Sequence, residues 1–356
     1  MIELDSFKRI EECDESSMLE LIESFPDQCR DAKCIGDEFE LPQEFKRSYR
    51  NIVCTGLGGS AIGADLVRSY IAEDAQIPVL INRNYTLPNF VTGETLVIVS
   101  SYSGNTEETL SAYSEAMSRG SGVIVVTSGG KLAKAAKKDD IPCLTIPGGF
   151  PPRCAIGYSF FTLLAILVKI GVIKDQAAAI DDAIHNLRIL KDSKLGYKIP
   201  YKDNPAKKIA AQIFGKLPVI YGSCERTDAV VTRWRGQLAE NSKTLSSGNF
   251  FPEMDHNEIV GWENPKEALK DCVAIILRDA EDHPRIAKRM DATRNILKKD
   301  KRKVLEVSSS GAGLLSRIFS LIYIGDFVSF YLAILNGSDP TPVEKITMIK
   351  KEMAKK

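Results

Sequence analysis

The chain is poor in histidine and has no net charge, and both shortages exclude chemistry. Three histidines stand among 356 residues, at 185, 256 and 283. No H-x-H or H-E-x-x-H spacing joins them, so a histidine-built zinc site is not expected. Lysine plus arginine and aspartate plus glutamate both total 47, which removes the electrostatic case for nucleic acid or an anionic membrane. The eight cysteines form no C-x-x-C pair. They read as reduced core thiols, not as a disulfide frame or zinc ribbon. The first fifteen residues, MIELDSFKRIEECDE, are charged and contain no signal-peptide apolar core, so a cytoplasmic location is expected. One long apolar run, Ala155 to Ile173, carries Lys169, Tyr158 and two glycines and has no second such run beside it. It reads as a buried helix between domains or at a dimer interface, not as a membrane span.

What is present is an ordinary globular composition, 44% hydrophobic and 26% charged, with length enough for two domains. After a helical N-terminal stretch, short Val/Ile-rich runs alternate with helical patterns: Ile52–Thr55, Ala64–Ala72, Val79–Ile81, Leu96–Ser100, Glu107–Met117, Gly122–Val126, Lys131–Lys138 and Cys143–Ile146. Such alternation implies an α/β fold with a parallel sheet covered on both faces. The second half repeats the pattern. Leu217–Ser223 parallels the run at Asn51, Cys272–Leu277 the run at Thr95, and Lys303–Val307 the run at Gly122. The expected organisation is a helical segment over 1–44, a first domain over 45–154, connecting helices and linker over 155–204, a second domain over 205–338, and a C-terminal helix over 339–356. The stretch from Tyr197 to Pro205, with two prolines, reads as the linker.

The most informative stretch is TLVIVSSYSGNTEET at 95–109. An apolar strand ends in Ser101, Ser103 and Thr106, with Gly104 and Asn105 between them, and a helix follows. Free backbone N–H groups and the positive end of the helix dipole meet there, which suits an anion. Three hydroxyls add donors without charge, and a phosphate monoester is the natural ligand. Upstream, Gly56-Leu-Gly-Gly-Ser-Ala-Ile-Gly63 is not a dinucleotide fingerprint. Gly63 stands two positions beyond the third glycine of G-x-G-x-x-G, no acid ends the next strand, and no Walker lysine follows. The loop instead lets backbone approach a small ligand, with Gly59 and Ser60 at a helix start. In the second half, Arg278-Asp-Ala-Glu-Asp282 replaces the hydroxyl loop. Adjacent carboxylates repel phosphate, so one phosphate site per chain is expected.

These stretches together resemble the sugar isomerase (SIS) domain and, more closely, the bifunctional phosphoglucose/phosphomannose isomerase family of archaea and some bacteria. The matching segments are GLGGSAIGAD at 56–65, SSYSGNTEET at 100–109, PPRCAIGY at 151–158, QLAENSK at 237–243, PEMDHNEIVGW at 252–262 and DPTPVEKI at 339–346. The resemblance implies two SIS-type domains, each a parallel sheet flanked by helices. It also implies an aldose–ketose isomerase that interconverts glucose 6-phosphate and mannose 6-phosphate with fructose 6-phosphate through a cis-enediolate. It implies no cofactor and no metal. By the resemblance Glu240 is the base, His256 assists ring opening from across a homodimer interface, and Arg153 stabilises the enediolate. One lysine of the C-terminal helix lies near the sugar; register favours Lys350, with Lys345 and Lys351 as alternatives. Thr341 lies near C1–C2, where a small hydroxyl tolerates either epimer. The phosphate falls to Gly59, Ser60, Ser101, Ser103 and Thr106. Two other readings stand beside this one: an isomerase for a single sugar phosphate, and a non-catalytic SIS protein that senses sugar phosphates.

Overall fold

The computed structural model describes residues 2–353 and 355, and its chain divides into two compact units. One unit comprises Ser24–His185 with Gly311–Ser316. Its five parallel strands are β1 (Asn51–Thr55), β2 (Val79–Asn82), β3 (Thr95–Ser101), β4 (Gly122–Thr127) and β5 (Cys143–Thr145), in the order β2-β1-β3-β4-β5. Every residue of β3 is buried, as a central strand covered on both faces must be. Val53, Val97, Val99, Val123 and Val125 share one face with Ala112, Tyr113, Leu132 and Ala136, from the helices Glu107–Ser118 and Gly130–Lys138. The Gly58–Tyr70 helix packs against β1 and β3. It begins six residues before the expected Ala64. The glycine run that reads as loop is the helix's first turn, because glycine's low helix propensity hides it in the sequence.

The apolar segment at 155–173 is a buried helix, as its sequence suggests, but it is not a dimer-interface surface. It forms a helix of 14 residues, Ile156–Lys169, packed inside this unit against the Phe25–Glu38 and Gly58–Tyr70 helices. Glycines permit the approach: a Cβ on Gly36 would lie 2.6 Å from the Cβ of Ala165. Its apolar surface is buried within the chain, so it offers no argument for a dimer.

The other unit comprises the residues up to Glu23, Asn186–Ser310, and the chain from Arg317 onward. Its parallel strands are β6 (Leu217–Ser223), β7 (Ser247–Phe251), β8 (Cys272–Arg278) and β9 (Lys303–Ser308), in the order β7-β6-β8-β9. This reproduces β2-β1-β3-β4, so the repeat read from the sequence is present in the topology. The stretch read as a linker wraps the fully buried Lys207, whose ammonium donates to Asp5 Oδ1 at 2.8 Å and to the carbonyls of Tyr197 and Ile199 at 2.9 Å each.

A second apolar helix, Leu314–Asn336, escapes the sequence reading. It has 23 residues, a mean hydropathy of 2.0, and 94% of its apolar window buried. It is the one helix among the described residues long and apolar enough to cross a membrane, but here it is a core helix. Arg317 and Asp326 interrupt its apolar run and are both ion-paired. All eight cysteines are free thiols; Cys34 and Cys224 are exposed, not in the core as expected.

The Asp228–Glu240 helix lies so close to this core helix that Gly325 has no room for a side chain. A Cβ there would sit 2.3 Å from Nε1 of Trp234. That indole is buried and donates to the carbonyl of Leu321 at 2.8 Å. Gly325→Ala gains about 1 kcal/mol of helix propensity but overpacks the contact, at a cost of roughly 1–3 kcal/mol. Urea and thermal unfolding are expected to show a net loss of stability; a more stable variant would contradict this packing.

Candidate active site

In the first-described unit, β3 ends at Ser101, and the chain turns through Gly104, whose φ is +63°, into the Glu107–Ser118 helix. Glycine is required at this turn on two counts: the left-handed φ, and the 1.8 Å that would separate its Cβ from the carbonyl oxygen of Gly129. Thr106 occupies the N-cap position, yet its side chain makes no capping bond. Its hydroxyl instead accepts from Ser101 Oγ at 3.2 Å. The helix's first-turn N–H groups are thus left to an external acceptor, the arrangement in which a helix N-terminus binds an anion.

A second helix start joins the loop. Ser60 Oγ, on the first turn of Gly58–Tyr70, accepts the Tyr102 N–H at 3.1 Å. Beside it, a Cβ on Gly59 would lie 2.5 Å from the carbonyl of Pro152 and 3.6 Å from the Arg153 nitrogen. Only glycine admits the Pro152–Cys154 turn that carries the buried Arg153. The structure therefore gathers Gly59, Ser60, Ser101, Ser103, Thr106 and Arg153 into one unit. Residues outside the proposed phosphate donors hold this frame. Asn105 Oδ1 accepts the Lys131 N–H at 3.2 Å, and its amide donates to the Ser103 carbonyl at 2.9 Å. The Tyr102 hydroxyl accepts the Phe150 N–H at 2.8 Å. Burial pushes the Tyr102 phenol above its ordinary value, so the hydroxyl stays protonated.

The other sheet has different chemistry at the matching place. After β8, Asp279 takes Arg317 Nε at 3.0 Å and Ser309 Oγ at 2.9 Å. Asp282 takes Ser223 Oγ and the Asp279 N–H, both at 2.9 Å. Burial raises the pKa of Asp282, against the pull of those donors. The chain's own carboxylates fill the position that is open in the first sheet.

Glu240 is the last residue of the Asp228–Glu240 helix, half-exposed. Its helix is bonded to the core helix at each turn. Arg233 and Gln237 donate to the two oxygens of Asp326 at 2.7 and 2.8 Å, and Asn241 Nδ2 donates to Ser329 Oγ at 2.9 Å. Arg233, two turns before Glu240 on this helix, is thus committed to Asp326. Glu240 lines a cavity of about 590 Å³ together with Lys243, Asp339, Glu344 and Lys345. Lys243 has a φ of +55° and its ammonium donates to the carbonyls of Glu240 at 2.7 Å and Pro340 at 3.0 Å. It ties the helix end to the segment of Thr341. Lys243 lies in the quoted QLAENSK stretch, but only its backbone conformation reveals the role. His256 and Lys350 are not among the walls of this cavity. Lys350 is exposed on the Glu344–Met353 helix. His256 is exposed on the one-turn Glu253–His256 helix. Asp255, its neighbour in the chain, binds Thr293 Oγ1 at 2.9 Å and Arg289 at 3.3 Å rather than the imidazole.

Residues 202–353 match the bacterial phospho-glucose isomerase C-terminal SIS domain. A bifunctional phosphoglucose/phosphomannose isomerase of Caldicellulosiruptor bescii is 45% identical over 340 residues, covering 95% of this chain and 99% of that one. Its namesake in Aquifex aeolicus is 38% identical over 308 residues, covering 86% and 91%. Among solved structures, the tagatose-6-phosphate ketose/aldose isomerase of Escherichia coli superposes with a TM-score of 0.67 at 14% identity, covering 92% of this chain and 95% of that one. That likeness extends to the fold alone. With two SIS-type sheets, an anion-ready hydroxyl loop on one of them, and near full-length identity to named relatives, this chain belongs to the bifunctional phosphoglucose/phosphomannose isomerase family.

Proposed function

We propose that the chain is an aldose–ketose isomerase that interconverts glucose 6-phosphate and mannose 6-phosphate with fructose 6-phosphate in the cytoplasm. The observation that carries this reading is the 45% identity with a phosphoglucose/phosphomannose isomerase along 340 residues. The uncapped hydroxyl loop supports it, since such a loop suits the phosphate common to all three sugars. Gly59, Ser60, Ser101, Ser103 and Thr106 hold that phosphate. His256 helps open the ring. Glu240 takes the proton from C2 and returns it to C1, while the hydroxyl proton passes from O2 to O1 and the carbonyl moves to C2. Arg153 stabilises the charge on the cis-enediolate between these steps. Mannose, the C2 epimer, requires rotation about C2–C3 before the same base can serve, and Thr341 tolerates either epimer. The C-terminal helix supplies a lysine: Lys350 by motif register, with Lys345, which lines the Glu240 cavity, as the alternative.

The active unit in this proposal is a homodimer that donates His256 across a two-fold interface. The Glu344–Met353 helix supports it. None of its residues is buried, and Ile346, Ile349 and Met353 are exposed at spacings that share one face. Val260, in the His256 loop, is 65% exposed.

Four outcomes test the reading. Inorganic phosphate is expected to raise the melting temperature of the wild type. Ser103→Ala and Thr106→Ala should weaken fructose 6-phosphate binding by roughly 10- to 150-fold, the equivalent of one hydrogen bond to a charged group. Unchanged affinity in both would remove the phosphate assignment. Glu240→Gln should bind sugar phosphate normally and lose about 10²–10⁴-fold in turnover of both aldose phosphates. Activity near wild type would move the base elsewhere, and a wild type active on one aldose only would favour the single-sugar reading. Finally, Glu240→Gln and His256→Ala chains, each reduced to residual activity alone, should regain activity well above that level when mixed, because one site of each exchanged dimer has both groups intact. Mixtures that exchange subunits and stay at the residual level would rule out the shared site.

A further inference from the structure

The His256 turn is fixed from beneath by a polar chain inside an apolar cluster. Tyr221, in the middle of β6, is fully buried beside Phe251, Met254 and Trp262. Trp262 Nε1 donates to the Tyr221 hydroxyl at 2.8 Å, and that hydroxyl donates to Glu258 Oε1 at 2.7 Å. Asn249, on β7, donates its amide to Glu258 Oε2 at 2.6 Å. An indole N–H can only donate, so the direction of the chain is set, and Glu258 must accept from both sides. Glu258 stands two residues after His256. Between them Asn257 bonds Glu253 at 2.7 Å and caps the Glu258 N–H at 2.6 Å, in an unusual backbone conformation with φ −149° and ψ −71°. On the other side Met254 is fully buried, and Asp255 is bonded to Thr293 and Arg289 of the Pro284–Lys299 helix. The turn is therefore pinned immediately before and after His256, while the residue itself is exposed.

We infer that Tyr221, Glu258, Asn249 and Trp262 are positioning residues for His256, an inference that rests on the proposed role of that histidine. The physical reason lies in the choice of material. A carboxylate, a phenol and an indole N–H among apolar side chains add little stability over a purely apolar cluster of the same shape. What they add is direction, since a hydrogen-bond chain admits one arrangement where apolar contacts admit several. An exposed histidine on a loose turn would lose most of its effective concentration at the sugar.

A double-mutant cycle separates positioning from plain stability. Tyr221→Phe keeps the ring and removes the link between Trp262 and Glu258. In the wild-type background it should lower kcat by roughly 10- to 100-fold, with KM little changed. In the His256→Ala background, whose residual activity is measurable because acid–base groups are typically worth about 10²–10⁴-fold, the same substitution should have no further effect. Asn249→Ala, which leaves the tyrosine in place, should behave alike and covers the case in which Tyr221→Phe folds poorly. Equal losses in both backgrounds would mean a merely structural role and overturn the inference. So would wild-type kcat in both Tyr221→Phe and Asn249→Ala when His256→Ala is impaired. Wild-type activity in His256→Ala would instead overturn the role of the histidine, and the positioning role with it.

Discussion

Asp326 is a carboxylate set in the middle of an apolar helix, and the place of Glu240 depends on it. The Arg233 and Asp326 side chains are 3% and 7% exposed. Burial raises the Asp326 pKa, while Arg233 and Gln237 pull it down. Such a pair is weak as a source of net stability, but removing one partner costs about 3–5 kcal/mol because a charge is left buried. Its effect is therefore on register. Any slip of the Asp228–Glu240 helix by one turn would strand Asp326, misplace Trp234 from the Leu321 carbonyl and part Asn241 from Ser329. A carboxylate at the open end of this helix is held by contacts made well below it.

The two sheets run through the same strand order and end in opposite chemistry. After β3 the loop offers hydroxyls and bare helix N–H groups. After β8 it offers carboxylates already answered by Arg317, Ser223 and Ser309. The second arrangement resembles the first with the anion built into the chain. A shared four-strand order here carries different chemistry at its strand ends, where side chains are free to change without disturbing the sheet.

Most of the first sheet was legible because its strands are Val/Ile runs bounded by small residues, a pattern with few other uses. The hydroxyl loop was legible for the same reason: its residue types serve local backbone geometry. What escaped depends on partners distant in sequence. The Leu314–Asn336 helix was overlooked because Arg317 and Asp326 break its apolar run, and only the fold supplies their counter-ions. β7, reading SGNFF and half-exposed, carries little strand signal of its own. Asp255 adjoins His256 in the chain, yet its oxygens go to residues more than thirty positions away. The left-handed backbone of Lys243 leaves no mark in the sequence at all.

The seat of the hydroxyl loop is closed by glycines from two separate turns. Gly104 abuts the Gly129 carbonyl, and a Cβ on Gly130 would sit 2.4 Å from the Ser103 carbonyl. For descent with modification this divides the site into two classes of position. Exchanging one of the hydroxyls at 101, 103 and 106 removes a side-chain hydrogen bond of the loop but forces no side chain into backbone. The glycines cannot be exchanged singly, because a side chain on one turn displaces the backbone of the other. Side-chain change in this loop is thus open at the hydroxyls, by small steps, on a backbone that is inherited whole.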